Sequence, residues 1–168
     1  MNIKKIIEKS KSSSFYRKIL NAGLNRLVPF NKPHGFKVVE ISDLHLKTLV
    51  PYKKSNFNHI KGIHACALAT LSEFTTGFLL LSRLDSRKYR IIMQSLNIDY
   101  HYQAKMDAFG IFSISDEWLN ELIIQPLETA EKVTVDCEVK IHDKQGNHIS
   151  TGIVTWQIKS WEQVKTKV

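Results

Sequence analysis

The chain has 168 residues, of which 43% are hydrophobic, and it carries a formal net charge of +8 at pH 7. This length is enough for one well-filled hydrophobic core and too short to favour two domains with a core each. The excess of basic residues favours an acidic partner, so composition leaves nucleic acid, an anionic membrane surface and a phosphorylated small molecule open.

Residues 1–33 are predicted to form a basic amphipathic helical arm. The apolar residues of the arm recur at roughly helical spacing, with an interruption at residues 12–14; they are Ile6, Ile7, Ile19, Leu20, Leu24 and Leu27. Residues 3–29 include seven basic residues and one acidic residue. Two interpretations stay open: weak contact with an anionic surface or partner, or packing on the chain's own domain with a solvated basic face.

The sequence contains no recognisable targeting or metal-binding signal. Its lysine-rich start has no continuous apolar region, and no run of about 18 apolar residues follows, so neither a signal peptide nor a spanning helix is predicted. Cys66 and Cys137 form no C-x-x-C motif or Cys/His cluster, and the seven His residues show no metal-ligand spacing. We therefore expect no metal, no disulfide framework and a reducing, cytoplasmic location.

Residues 34–168 are predicted to form an α+β domain. Residues 36–41 are typical of a short strand, and residues 43–61 are polar and loop-like. A long apolar helix is predicted to begin near Gly62, and up to residue 82 its only formal charge is Glu73. An unpaired carboxylate in such surroundings is costly, so Glu73 is paired, exposed at one edge, or kept for chemistry.

After this helix the hydrophobic period changes from about 3.6 residues to 2, which indicates strands. Apolar residues alternate from residue 92 to 102 with one irregularity, an apolar run follows at 109–114, and residues 133–141 alternate with one face buried. A turn at residues 143–147, with Gly146 supplying a positive φ, leads into a last strand at 149–159. An antiparallel sheet of about five strands around one long helix fits this order.

The start of the long helix is predicted to bind a carbonyl oxygen or an oxyanion. If the helix begins at Gly62, four free backbone N–H groups point outward, those of Ile63, His64, Ala65 and Cys66. Glu73 lies nine residues after His64, so the two point to opposite sides of the helix, about 13 Å apart along its axis. They can meet only if two copies of the helix run antiparallel across a twofold axis, which gives a dimer two composite sites.

This arrangement resembles the hotdog-fold acyl-CoA thioesterases, especially the phenylacetate-degradation type, over roughly residues 36–160. That family has His-Gly-Gly at the helix start and an acid nine residues after the His; here the places are taken by His64-Ala65-Cys66 and Glu73. Asn58, six residues before His64, stands where the family often has Gln or Asn near the thioester carbonyl. The resemblance extends to an uncharacterised thioesterase-like branch with an N-terminal helical extension.

The resemblance implies a hotdog fold and hydrolysis of an acyl-CoA thioester at a composite site of a homodimer or a dimer of dimers. Ala65 and Cys66 would form the oxyanion hole, Asn58 or His64 would orient the carbonyl, and Glu73 would attack or activate water. Coenzyme A enters as part of the substrate, and no cofactor is expected. Phe78, Tyr100 and Tyr102 are candidate walls of the acyl pocket.

Two departures from the pattern open alternatives. Ala65 and Cys66 replace two glycines, and their Cβ atoms narrow the approach of a thioester, which favours a non-catalytic module that binds acyl-CoA or lipid. His59, 14 residues before Glu73, resembles the spacing of the hotdog dehydratases, although the prolines of that family are missing.

A basic cluster in the turn that leaves the helix could hold the phosphates of coenzyme A, or could simply be solvated; it consists of Arg83, Arg87, Lys88 and Arg90. Nucleic acid is not expected, because the basic residues are dispersed and no binding motif is present. Structural roles also stay open: Glu73 could accept hydrogen bonds from neighbouring hydroxyls, His64 could contact a loop, and Cys66 could fill the core.

Overall fold

Six strands form one antiparallel sheet in the order β1-β2-β4-β5-β6-β3 in a computed structural model that describes residues 3–164. The strands are β1 (Lys37–Ile41), β2 (His45–Val50), β3 (Tyr89–Tyr100), β4 (Ala108–Ser113), β5 (Lys132–Asp143) and β6 (His148–Ser160). The helices are α1 (Ile3–Ser12), α2 (Ser14–Leu27), α3 (Ala65–Arg83) and the short α4 (Asp116–Leu119). The outermost parts of the predicted segments, residues 1, 2 and 165–168, lie outside the described residues.

The long helix α3 is the centre of the core. It packs against strands β2 to β6, and its leucines at positions 71, 79 and 80 are fully buried. In the described residues α3 is the one helix long and apolar enough to cross a membrane by length and composition, and 61% of that stretch is buried inside the domain. A sheet wrapped around a buried helix explains this apolar character, and it confirms the predicted α+β architecture.

The strands predicted from alternation at residues 92–102, 109–114, 133–141 and 149–159 are confirmed as β3 to β6. Gly146 has a φ of 84° in the turn between β5 and β6, as predicted. The irregularity seen in the first of these patterns is a bulge of β3 against β6 between Met93 and Ser95. A bulge places one extra residue in a strand, so the alternation of apolar and polar residues shifts by one position at the bulge. This shift is the irregularity visible in the sequence.

The prediction that residues 43–61 are a loop is wrong for β2, and the sheet has six strands where about five were expected. Strand β2 alternates half-buried and buried residues, but one of the buried positions is Thr48. Its hydroxyl meets that of Thr75 on α3, so this polar residue is satisfied in the core and masks the apolar alternation. The segment between β4 and β5, which holds α4 and a π-helical turn, has no counterpart in the sequence prediction.

The N-terminal arm consists of two helices that share the core of the domain. Helices α1 and α2 break at Ser13, within the predicted interruption, and bury Ile6, Leu20 and Leu24. The side-chain Nδ2 of Asn21 donates to the carbonyl of Val38 on β1 at 3.0 Å, and its Oδ1 accepts from the backbone N–H of Val38 at 2.7 Å. This pair fastens α2 to the first strand, while the division at residue 33 stays a prediction.

Strand β3 lies at an edge of the sheet. Over the described residues it pairs only with β6, and most of its twelve residues are exposed, including Ile92 and Met93. A long edge strand with exposed apolar side chains is a surface that proteins normally cover or pair.

Candidate active site

Helix α3 begins at Ala65, three residues later than predicted, and His64 is its N-cap. The Nδ1 atom of His64 accepts a hydrogen bond from the backbone N–H of Cys66 at 3.0 Å. A ring nitrogen that accepts is unprotonated, so a neutral His64 carries its proton on Nε2. The side chain thus closes the helix start and offers one outward donor.

The prediction of four free N–H groups at this helix start is wrong. The N–H of Ile63 donates to the carbonyl of Ala104 at 2.8 Å, and the N–H of His64 donates to that of Asn56 at 2.7 Å. The backbone N–H of Cys66 donates to the His64 ring. Of the four predicted donors, only the N–H of Ala65 therefore has no acceptor among residues 3–164. The reason lies in the loop before α3: His64 is still extended, and the N–H groups of Ile63 and His64 bond to neighbouring backbone.

Asn58 organises the loop that leads to this start. Its Oδ1 accepts from the backbone N–H groups of Ile60 at 3.1 Å and Gly62 at 2.9 Å, and its own N–H donates to the carbonyl of Gly62 at 2.8 Å. The side chain therefore closes a tight turn through its oxygen. The side-chain nitrogen Nδ2 of Asn58 has no hydrogen-bond partner among the described residues.

A cleft of about 310 Å³ brings four of the predicted site residues together, namely Asn58, Ala65, Tyr100 and Tyr102. We call it the helix-start cleft. The Tyr100 hydroxyl donates to the carbonyl of Ala65 at 3.0 Å, which fixes the ring beside the free N–H. Burial raises the pKa of Tyr100, and the nearby Cys66 adds to the rise, so the hydroxyl stays a neutral donor near pH 7. Cys66 itself is exposed, contrary to the expectation of a core residue.

Glu73 lies in a second cavity of about 380 Å³, which we call the Glu73 cavity. The carboxylate has no hydrogen bond or ion pair among residues 3–164, and burial raises its pKa above the ordinary value of 4.5. The hydroxyls of Ser72, Thr75 and Thr76, which could have satisfied it, donate to helix carbonyls instead. Glu73 is therefore a half-buried carboxylate for which the described residues of one protomer supply no partner.

The walls of the Glu73 cavity are mostly apolar. Phe78, expected beside the tyrosines, lies here, on the same cavity as Glu73. Trp156 of β6 packs against Gly77, where a Cβ would come within 2.6 Å of its ring, and its Nε1 donates to Thr76 Oγ1 at 3.0 Å. Trp156 and the polar lining residues Asn31 and Ser86 were not predicted from the sequence. Trp156 could have been found as the largest side chain on the inward face of β6.

The basic cluster after α3 is partly neutralised by carboxylates. Arg83 pairs with Asp43 at 3.1 Å and with Asp116 at 2.6 Å. Arg87 pairs with Asp85 and, by its hydrogen bonds, lowers the pKa of that carboxyl. Lys88 is exposed, whereas Arg90 is half-buried on β3, with its Nε unpaired in the described part of the chain.

Among residues 3–164, no group of three or more His, Cys, Asp or Glu side chains is placed to hold a metal ion. Cys137 is buried in the sheet, and burial raises its thiol pKa to about 12, so it has no nucleophilic character. His59 is exposed and lines neither cavity, and the dehydratase-like spacing between His59 and Glu73 stays a prediction.

Comparison with known proteins supports the fold. A family model described as "Domain of unknown function (DUF4442)" matches residues 16–158. A Pseudomonas aeruginosa protein of unknown function, described as a probable thioesterase, is similar with a TM-score of 0.78 and 22% identity over 85% of this chain and 95% of that one. No curated protein matches the sequence.

Two further structures are similar at lower identity. A mutant of a thioesterase enzyme from Staphylococcus aureus has a TM-score of 0.64 and 14% identity over 79% of this chain and 99% of its own. A thioesterase from Haemophilus influenzae has a TM-score of 0.67 and 8% identity over 90% of this chain and 95% of its own. At these identities the likeness shows the fold alone, and it confirms the predicted hotdog architecture.

Proposed function

Since the chain belongs to the DUF4442 family, whose function is unknown, and has the fold of several thioesterases, we propose that it hydrolyses acyl-CoA thioesters at a composite dimer site. The observation that carries this proposal is Glu73, a half-buried carboxylate in a mostly apolar cavity with no partner among residues 3–164. Such a group is costly to keep for structure alone and suits acid–base chemistry. The free N–H of Ala65 supplies the complementary donor.

The exposed edge strand β3 gives a physical route to the dimer. Antiparallel pairing of two copies of β3 about a twofold axis would set its Tyr100 end beside the Tyr89 end of the partner. Tyr100 belongs to the helix-start cleft, whereas Ile91, near the other end of β3, lines the Glu73 cavity. The pairing would therefore bring the helix-start cleft of each protomer towards the Glu73 cavity of the other.

In this site the thioester carbonyl oxygen would accept a hydrogen bond from the N–H of Ala65. Glu73 of the other protomer would take a proton from a water molecule as the water oxygen adds to the carbonyl carbon. The negative charge that develops on the carbonyl oxygen lies at the positive end of helix α3. Collapse of the intermediate breaks the C–S bond, and the proton passes from Glu73 to the coenzyme A thiolate.

The remaining parts of the proposal follow from charge and fold. Lys88 and Arg90, with no carboxylate partner among residues 3–164, are the members of the basic cluster best suited to a coenzyme A phosphate. The reaction needs no cofactor, and we propose a cytoplasmic location. We also propose that the basic residues of α1 and α2 make weak contact with an anionic surface.

Thiol release from a panel of short, aromatic and long acyl-CoAs tests the function. Glu73→Gln should lower the rate by about 10² or more, as expected for loss of an acid–base group. Glu138→Gln is the matched control, because Glu138 is exposed on β5 and lines neither cavity. Equal rates for Glu73→Gln and the wild type would remove Glu73 from the mechanism.

A second function is favoured by a specific observation: the described residues leave a single backbone N–H, that of Ala65, free at the helix start. With one N–H and a Cβ at both Ala65 and Cys66, the site could bind acyl-CoA without stabilising an oxyanion enough for turnover. This reading expects binding by calorimetry and no thiol release with any acyl-CoA at high protein concentration.

A further inference from the structure

The Glu73 cavity is walled on one side by the N-terminal helices. Ile7 of α1, together with Leu24 and Leu27 of α2, faces Phe74 and Phe78 of α3 across it. The arm thus contributes branched aliphatic side chains to a space that also holds the candidate catalytic carboxylate. A role limited to covering the sheet or displaying positive charge does not explain a cavity between the arm and α3.

Asn31 is a second polar side chain in this cavity. It is 5% exposed, and its side-chain amide has no hydrogen-bond partner among residues 3–164. Its backbone groups are used in the turn after α2, where its N–H donates to Val28 and its carbonyl accepts from His34 and Gly35. A side-chain amide that is not used inside the protein can donate a hydrogen bond to a ligand that enters the cavity. Asn31 and Glu73, with Ser86, are therefore the polar side chains of a lining in which apolar residues predominate.

We infer that the Glu73 cavity binds a flexible aliphatic acyl chain, with α1 and α2 as the wall that sets its length and Asn31 as a donor to its carbonyl end. This inference rests on the proposed function and adds the substrate class. The aliphatic walls favour a hydrocarbon chain, and Leu27 and Val28 form a partly exposed rim through which a longer chain can extend. A polypeptide segment is a poor occupant, because a cavity of about 380 Å³ is too small to bury one.

The charge of Glu73 further restricts the ligand. A neutral thioester or ester carbonyl can lie beside the carboxylate and accept from Asn31, whereas a free fatty acid would place two carboxylates together. The cavity therefore favours the acyl thioester over the product acid, which helps to release the product after hydrolysis.

Binding of S-alkyl coenzyme A thioethers tests the inference without relying on turnover, because thioethers cannot be hydrolysed. Affinity of the full-length protein, measured by calorimetry, should rise from S-ethyl to S-decyl by up to about fourfold per buried methylene. Val28→Trp narrows the rim and should lower the affinity for the S-decyl compound about tenfold, with a smaller effect on the S-ethyl compound. Leu27→Trp, at an even more exposed position, repeats the test with less effect on folding.

Ile111→Trp is the control for bulk and hydrophobicity, since Ile111 is 42% exposed on the outer face of β4 and Val28 is 40% exposed. It should leave the binding series unchanged. A chain-length gradient that Val28→Trp and Leu27→Trp both leave intact would overturn the inference, as would equal affinity for the two thioethers. If acyl-CoAs are hydrolysed while the gradient is absent, the proposed function stands and the aliphatic substrate class fails. A gradient without hydrolysis of any acyl-CoA supports this site and refutes the proposed function.

Discussion

Replacement of Ala65 by proline removes the candidate oxyanion donor with little other change. Proline has no backbone N–H, and it is favoured at the first position of a helix, which is where Ala65 lies in α3. A proline also requires extended backbone in the residue before it, and His64 already has φ −64° and ψ 139°. The N–H that is lost has no acceptor among residues 3–164, so the substitution breaks no hydrogen bond within the described part of the chain.

The expected loss follows from the number of donors. Ala65 supplies the one free N–H at this helix start, so the substitution removes the whole set of backbone donors that the described residues offer. Removal of one oxyanion-hole donor lowers kcat by about 10² to 10³, or about 2.7–4 kcal/mol of transition-state stabilisation. Stability should hardly change, because the substitution keeps the helix geometry and the cap made by His64.

Thiol release measured with the best acyl-CoA of the panel gives kcat, and thermal unfolding gives stability. Ala65→Gly is the matched control, since it keeps the N–H and removes only the Cβ; its kcat should equal or exceed that of the wild type. Mixing Ala65→Pro protomers with Glu73→Gln protomers should restore about a quarter of the wild-type activity, because half of the dimers are mixed and each has one intact site.

Wild-type kcat in a folded Ala65→Pro protein would refute the reasoning about the oxyanion donor. Failure of the mixed dimers to regain activity, with subunit exchange shown by mass spectrometry, would refute the composite site. Equal losses in Ala65→Pro and Ala65→Gly would attribute the effect to the shape of the helix-start cleft and not to the missing N–H.

Single substitutions and chemical labelling elsewhere in the protein should change stability, reactivity and assembly in defined ways. Burial raises the pKa of Glu73 and so favours its protonated form in the folded state. The free energy of unfolding should therefore fall as pH rises from about 4.5 through the raised pKa, because the ionised carboxylate is disfavoured in the folded protein. Glu73→Gln should unfold at a higher temperature than the wild type at pH 8 but not at pH 4. His64→Ala should lose about 0.5–1 kcal/mol of stability measured in urea, whereas His64→Asn, which keeps a capping oxygen, should not, and retained activity in the Asn variant would identify His64 as a cap. Iodoacetamide at pH 8 should label the exposed Cys66 and spare Cys137, a residue that is 1% exposed and whose thiol pKa is raised to about 12. Mass spectrometry showing the reverse would contradict the placement of both. Ser95→Lys, which sets like charges near the middle of paired β3 strands, should shift sedimentation from dimer towards monomer, and an unchanged dimer would exclude this edge as the interface.

The sequence by itself determined the buried helix and most of the sheet. Strict alternation at residues 133–141 requires a strand with one buried face, and the apolar stretch around Glu73 requires a helix enclosed by other elements. Both follow from local periodicity, which the printed sequence contains in full. The separation of the helix start from Glu73 follows in the same way from the 3.6-residue repeat, and in the structure Ala65 and Glu73 line separate cavities.

What only the tertiary structure decided was the pairing of each polar group. The number of free N–H groups at the helix start depends on Ala104 and Asn56, which dock on Ile63 and His64 from other parts of the chain. Likewise Thr48 can be buried on β2 because its hydroxyl is hydrogen-bonded to that of Thr75. The N-terminal arm becomes part of the candidate site because Leu24 and Asn31 line the same cavity as Glu73. A hydrogen bond or a cavity wall is made by residues distant in sequence, so periodicity predicts which elements form, and packing alone decides which of their atoms stay free for chemistry.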